Sequence, residues 1–207
     1  MEKEIYIVGG SGHALVVREI IYLNQLNIKG YFDLKPTELM PAEIPYLGKE
    51  SAETIVVCSS DAYFFPAVGD NELRSKLIQF IRSQNRKELA LVHPEAAVSK
   101  DTRIGLSTMI GPKAVVNPFA KIGEGVIINS GAIIEHECVI GDFCHIAPGA
   151  TVLGNVQIGK STFIGANAVV KQGIKIGSNV IVGAGAVVLK DVPDNCTSVG
   201  NPAKIIN

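Results

Sequence analysis

Histidine is scarce in this chain, and its placement is informative. The four are His13, His93, His136 and His145. His136 stands between two acids, Glu135 and Glu137. A neutral imidazole beside a carboxylate is the usual make-up of a general base, because the carboxylate fixes the tautomer and stabilises the imidazolium that forms. His136, with Glu135 or Glu137 beside it, is therefore a candidate general base. His145 follows nine residues later. His13 closes a different motif, Gly9-Gly10-Ser11-Gly12-His13, directly after an apolar run. Glycines in such a turn let backbone N–H groups approach a diphosphate at a helix N-terminus. The dinucleotide spacing G-x-G-x-x-G is incomplete, since Leu15 stands at its last place. Asp33 ends the next strand-like run, at a distance from the glycine turn where an acid can accept hydrogen bonds from a ribose or base. His93, just before Pro94, reads as structural. Cys58, Cys138, Cys144 and Cys196 show no Cys-x-x-Cys spacing, and no metal site is expected.

The elements that must position these groups come in two kinds. From Val98 to Val188 every sixth residue is Val or Ile, sixteen in succession without a slip of frame. Two places before each stands Ala, Thr, Cys, Val or Ile, and in eight hexads the next residue is Gly. Neither a helical nor a plain strand period produces this, whereas a parallel β-helix does. Each hexad gives a short strand and a corner, and three hexads give one triangular coil, with the β-branched residue inward. The recurrent Gly is read as the residue that lets the backbone turn. Nine residues is half a coil, so His136 and His145 lie on different sides of one chain. Cys138 and Cys144 fall on the small-residue position and read as buried hydrophobes.

The front of the chain reads as a small α/β, Rossmann-like domain over 1–93, with the β-helix and a tail over 94–207. Glu4 to Val8 is a strand, a helix continues to about Asn24, and a second strand runs from Ile28 to Phe32. Ser51 to Ser60 is ambiguous: Ile55-Val56-Val57-Cys58 looks like strand, Ser51-Ala52-Glu53 like a helix start. Tyr63 to Val68 is a strand, ending at Gly69-Asp70-Asn71, a turn and helix cap. Glu72 to Gln84 is an amphipathic helix with Leu73, Leu77, Ile78 and Ile81 on one side. A last strand runs from Leu89 to Val92. A ligand of this domain belongs at the carboxyl ends of the strands.

Net charge is −1 and hydrophobic residues make up 47% of the chain. This gives no electrostatic footprint for nucleic acid or an anionic membrane. The apolar runs are too short to span a bilayer, and the first is too brief for a signal peptide. A cytoplasmic protein is expected.

The hexad solenoid, the run from His136-Glu137 to His145, Gly154 to Lys160, and the terminal Val199-Gly200-Asn201-Pro202-Ala203-Lys204 together resemble the acetyl-CoA-dependent sugar acetyltransferases. The glycine opening and Gly69-Asp70-Asn71-Glu72-Leu73-Arg74 are similar to the N-terminal domain of one subgroup, the bacterial UDP-4-amino-sugar N-acetyltransferases and sialic-acid O-acetyltransferase-like proteins. The resemblance implies a left-handed winding, against the general right-handed rule for crossovers. It implies N-acetylation of the 4-amino group of a nucleotide-linked sugar, UDP-linked first, for bacterial surface glycan or glycoprotein synthesis. His136 would be the base and Glu137 its orienter. His145 would bind acetyl-CoA, with Gly154, Ala166 and Ala184 along the pantetheine arm. Gly10, Ser11, Gly12 and His13 would hold the diphosphate, Asp33 and Gly69 the nucleoside, and Asn129 would line the sugar pocket. The family forms homotrimers with active sites between solenoids. One departure is that Leu34 follows Asp33 where relatives often carry a second acid. Alternatives are dTDP- or GDP-linked amino sugars, sugar O-acetylation, a zinc hydrolyase of the γ-carbonic anhydrase type, and a non-catalytic nucleotide-sugar sensor. The zinc chemistry needs three converging histidines, and the solenoid has two.

Overall fold

The computed structural model describes residues 3–206. Contacts divide the chain into two compact units, Met1–Pro94 and Glu95–Asn207. In the first, β1 (Glu4–Val8), α1 (Gly12–Leu23), β2 (Asn27–Phe32), α2 (Ala52–Ile55), β3 (Tyr63–Pro66), α3 (Asn71–Ser83) and β4 (Leu91–Val92) follow in order. β1 lies between β2 and β3, parallel to both. Tyr6, Phe32 and Phe64 share one cluster with Ile55, Leu77 and Ile81, and the Tyr6 and Phe64 rings stack at 5.1 Å. Each such buried side chain contributes about 1.5–3 kcal/mol of transfer free energy.

One ambiguity is resolved and one expectation corrected here. Of the two alternatives for Ser51 to Ser60 the helix start is the one adopted: Ala52–Ile55 is helical and Val56 to Cys58 form a turn. Ser51 and Thr54 form a reciprocal capping box. Arg86 closes the other end, donating to the carbonyls of Ile55 at 2.7 Å and Cys58 at 3.3 Å. Ile55 alone of the apolar trio turns inward, while Val56 and Val57 are exposed. In α3, capped by the Asp70 side chain on the Leu73 N–H, the apolar stripe is centred one residue later than expected. Leu73 is exposed, and Arg74, on the same stripe as Leu77, Ile78 and Ile81, is buried.

The second unit is a parallel β-solenoid of two-residue strands. Its first face stacks Met109–Ile110, Ile127–Ile128, His145–Ile146, Phe163–Ile164 and Ile181–Val182, followed by Thr197–Val199 and the antiparallel Lys204–Ile205. The second face stacks six strands from Ala97–Val98 to Val187–Val188, and the third stacks five from Arg103–Ile104 to Lys175–Ile176. Register is kept from coil to coil, as the pairs Ile133↔Thr151 and His145↔Phe163 show. The fourteen periodic residues from Ile110 to Val188 are at most 4% exposed. Val98 and Ile104 have a rung on one side only and are half-buried. At the small inward position the hydroxyls of Thr108 and Thr162 and the thiols of Cys138 and Cys144 donate to carbonyls 15 residues ahead. That satisfies polar atoms which would otherwise be costly to bury.

The recurrent glycines act differently from expectation. The left-handed turn falls three places after each inward residue, at every sixth position from Ser107 to Gly185, and nine of those fourteen residues are not glycine. The glycines directly after the inward residues are there for space. A Cβ on Gly159 would stand 2.5 Å from Ser178 N, and one on Gly141 2.7 Å from Lys160 N, both backbone atoms of the next coil.

Candidate active site

Glu137 occupies one of the left-handed corner positions, at φ 61°. The corner turns the chain from the second face to the third and leaves His136 and Glu137 exposed side by side. His136 Nδ1 lies 3.1 Å from Glu137 Oε2, with the two side chains 50% and 62% exposed. Neither residue has the periodic apolar role of its neighbours. A carboxylate only accepts, so Nδ1 carries a proton, and in the neutral ring Nε2 then keeps its lone pair. Gly154 lies one coil on, beneath the ring: a Cβ there would stand 2.7 Å from both Cε1 and Nε2.

His145 is on the first face, its backbone paired with Ile127 on one side and Phe163 on the other. Its ring is buried, meets Phe163 edge-on at 5.1 Å, and has Nε2 at 3.1 Å from Asn129 Nδ2. Ala166 and Ala184 lie one coil apart on the corner that follows the first face, joined by the Gly185 N–H to the Ala166 carbonyl. The expected site residues of the solenoid thus fall into two groups on one chain. His136, Glu137 and Gly154 share one corner. Asn129, His145, Ala166 and Ala184 share the first face and a different corner. Asn129 is brought against His145 rather than toward His136.

In the first unit the glycine turn is built from both sides. Gly9 has φ 113°, and a Cβ there would stand 2.8 Å from Val68. The Gly10 N–H donates to Asp33 Oδ2 at 2.6 Å, and the other carboxylate oxygen accepts the Leu34 N–H at 2.6 Å. Asp33 therefore braces the turn in this structure. Ser11 is the N-cap of α1, yet its side chain makes no capping bond, and no acid stands in the first helical turn. Gly12 has open space above it, as has Gly69. An uncapped helix start of this kind suits an anion.

His13, half-buried in that first turn, is held near a pKa of about 4 by burial and by the Arg74 charge. Arg74, to which residue type and spacing alone assign no role, is buried beside it. It donates to the carbonyls of Val68 at 3.2 Å and Gly69 at 2.9 Å and to Asn71 Oδ1 at 2.8 Å, and so shapes the loop beside the glycine turn. Its signal was its place on the apolar stripe of α3. A concavity of about 900 Å³ in this unit lies elsewhere, lined by Arg18, Tyr22, Asn27, Pro41 and Ile44. It abuts the carbonyl end of α1, where the helix dipole opposes an anion. Among the described residues no three His, Cys, Asp or Glu side chains gather as metal ligands, and no helix is long and apolar enough to cross a membrane.

Residues 4–81 match the PglD N-terminal domain family, and 101–136, 119–154 and 155–190 match the bacterial transferase hexapeptide repeat. A curated relative, UDP-N-acetylbacillosamine N-acetyltransferase of Bacillus subtilis, is 36% identical over 110 residues, which are 52% of this chain and 51% of the relative. That match spans about half of the curated relative's length. Among solved structures, the acetyltransferase domain of PglB from Neisseria gonorrhoeae, in complex with acetyl coenzyme A, is 32% identical with a TM-score of 0.92, covering 100% of both chains. The perosamine N-acetyltransferase of Caulobacter crescentus, in complex with CoA and GDP-perosamine, is 34% identical with a TM-score of 0.93, over 99% of this chain and 97% of that one. WeeI from Acinetobacter baumannii is 28% identical with a TM-score of 0.84. With its full-length likeness to the Neisseria and Caulobacter enzymes, the chain belongs to the hexapeptide-repeat nucleotide-amino-sugar N-acetyltransferases that carry a PglD-type N-terminal domain.

Proposed function

We propose that this protein transfers the acetyl group of acetyl-CoA to the 4-amino group of a UDP-linked amino-deoxy sugar. The observation that carries the reading is the His136–Glu137 contact of 3.1 Å on an exposed corner, with the ring seated over a glycine. Acetyl-CoA as donor is supported by the bound acetyl coenzyme A and CoA of the Neisseria and Caulobacter structures. The choice of UDP is supported by the name of the Bacillus relative. The uncapped start of α1 would take the sugar nucleotide's diphosphate.

His136 Nε2 takes the proton from the sugar nitrogen as that nitrogen bonds to the thioester carbon. The tetrahedral intermediate then collapses with cleavage of the carbon–sulfur bond, and the imidazolium returns the proton to the CoA thiolate. Glu137 stabilises the imidazolium between those two transfers. Holding both substrates together supplies much of the rate, and the base supplies on the order of 10²–10⁴-fold. The two groups of solenoid residues, on separate corners of one chain, support a homotrimer in which His136 of one solenoid meets the acetyl-CoA groove of another. In this reading the enzyme works in the cytoplasm.

The test is CoA thiol release with acetyl-CoA across UDP-, dTDP- and GDP-linked 4-amino sugars. UDP sugars should react fastest, and a preference for another nucleotide overturns that choice. His136→Ala should lose 10²-fold or more of kcat while acetyl-CoA still binds, on the order of the general-base contribution. Full activity in that variant removes the mechanism.

A further inference from the structure

The contact between Asn129 and His145 fixes a proton. The backbone N–H of Ser130 donates to Asn129 Oδ1 at 2.8 Å. A backbone N–H has no lone pair to offer, so the amide atom it meets is the oxygen. The amide nitrogen is thereby the atom at 3.1 Å from His145 Nε2. An amide nitrogen only donates, so Nε2 must accept, and the ring proton sits on Nδ1. The ring cannot easily turn to offer its other edge, because it is 9% exposed and Phe163 meets it at 76°.

We infer that Asn129 is a positioning residue that locks His145 in its Nδ1–H tautomer, so that His145 serves as a hydrogen-bond donor and not as a second base. Asn129 reaches the chemistry through this ring. The two solenoid histidines then have distinct roles. In both, Nδ1 holds the proton, but His136 keeps Nε2 for substrate, whereas the Nε2 of His145 is already engaged by the amide. Whatever acceptor His145 engages, it engages through Nδ1–H. That acceptor's being part of acetyl-CoA rests on the function proposed above, whereas the tautomer does not.

The experiment is a two-bond ¹H–¹⁵N correlation spectrum of the full-length ¹⁵N-labelled protein, with the His145 signals assigned by their loss in His145→Gln. Wild type should show the Nδ1–H pattern. Asn129→Asp, nearly the same shape but able only to accept, should switch the ring to Nε2–H. Asn129→Ala should give a mixture. An Nε2–H pattern in wild type overturns the inference, as does an Nδ1–H pattern that survives unchanged in both variants. The same variants are assayed for the KM of acetyl-CoA, which should rise by up to about tenfold in Asn129→Ala, the worth of one misdirected hydrogen bond. A tautomer that switches while every KM stays put upholds the lock and overturns instead the reading of His145 as an acetyl-CoA contact.

Discussion

Gly154→Ala isolates the placement of the His136 ring from its chemistry. The new methyl would stand 2.7 Å from Cε1 and Nε2 and 3.3 Å from Nδ1. Carbon atoms rest at about 3.5–4.0 Å, so the ring must retreat by about 1 Å. The backbone does not resist the change, because Gly154 is not among the residues with positive φ. Nor does the core resist, since the His136 side chain is half exposed and can swing outward. Gly154 itself is buried, but the three nearest atoms that a Cβ would meet all belong to this movable ring, so stability should change by only about 0.5 kcal/mol, the low end for a point substitution. The swing moves Nε2 off the line of the attacking amine and stretches the 3.1 Å contact to Glu137. A displacement of about 1 Å in a positioned group costs on the order of 10²-fold. Steady-state thiol release should thus show kcat down by about that factor, with Tm within a degree or two of wild type. An unchanged kcat refutes the steric argument. A rise confined to the KM of acetyl-CoA would do so too, and would return Gly154 to the pantetheine arm, the place that the family resemblance implies.

Three further outcomes follow from the geometry. Glu137→Gln keeps an acceptor for His136 Nδ1–H but removes the charge, so kcat should fall about tenfold, the difference between a charged and a neutral hydrogen bond; a variant with wild-type kcat shows that the carboxylate's charge is idle. His13 has a folded pKa of about 4 against an ordinary 6.5, so below 6.5 the unfolded chain takes up a proton that the folded chain refuses. Stability should drop as pH falls from 6.5 toward 4, and His13→Gln should flatten that limb in denaturant titrations; parallel pH curves would exclude His13 as the cause. Gly159→Ala sets a Cβ 2.5 Å from the backbone of the next coil, where nothing can give way. It should cost about 1–3 kcal/mol or more, read as a fall in Tm, and an unaltered Tm would show that the coils are less tightly stacked than the contact implies.

The solenoid was legible because its signal is repetition. One inward residue per hexad, buried without exception from Ile110 to Val188, leaves no competing period. What repetition did not reveal was which residue turns the corner. The sequence shows glycine recurring beside the inward position, and freedom of φ is the usual explanation for it. The left-handed corners instead fall on Lys113, Phe119, Glu137 and Phe143 as readily as on glycine. The stacking of coils fixes the corner conformation whatever the side chain, at roughly 1–2 kcal/mol each. Glycine is kept where the next coil's backbone leaves no room for a Cβ, a three-dimensional fact without a local signature.

The site divides along the same line. Adjacent residues such as His136 and Glu137 announce their contact in sequence, because a corner presents neighbours on one exposed surface. Asn129 and His145 are 16 residues apart, just short of a full coil, and nothing local links them. Their meeting follows only when the three-hexad coil is combined with the lean of each side chain across the first face. Arg74 was hidden for another reason: a charged residue on an apolar stripe reads as an error in the stripe until its acceptors are seen. Those acceptors are the carbonyls of Val68 and Gly69, backbone atoms that no residue pattern encodes. Residue types therefore point to the side chains proposed to react, and backbone geometry to those that would aim them. A substitution at Gly154, Asn129 or Arg74 should accordingly disturb turnover or binding while leaving every reacting side chain in place.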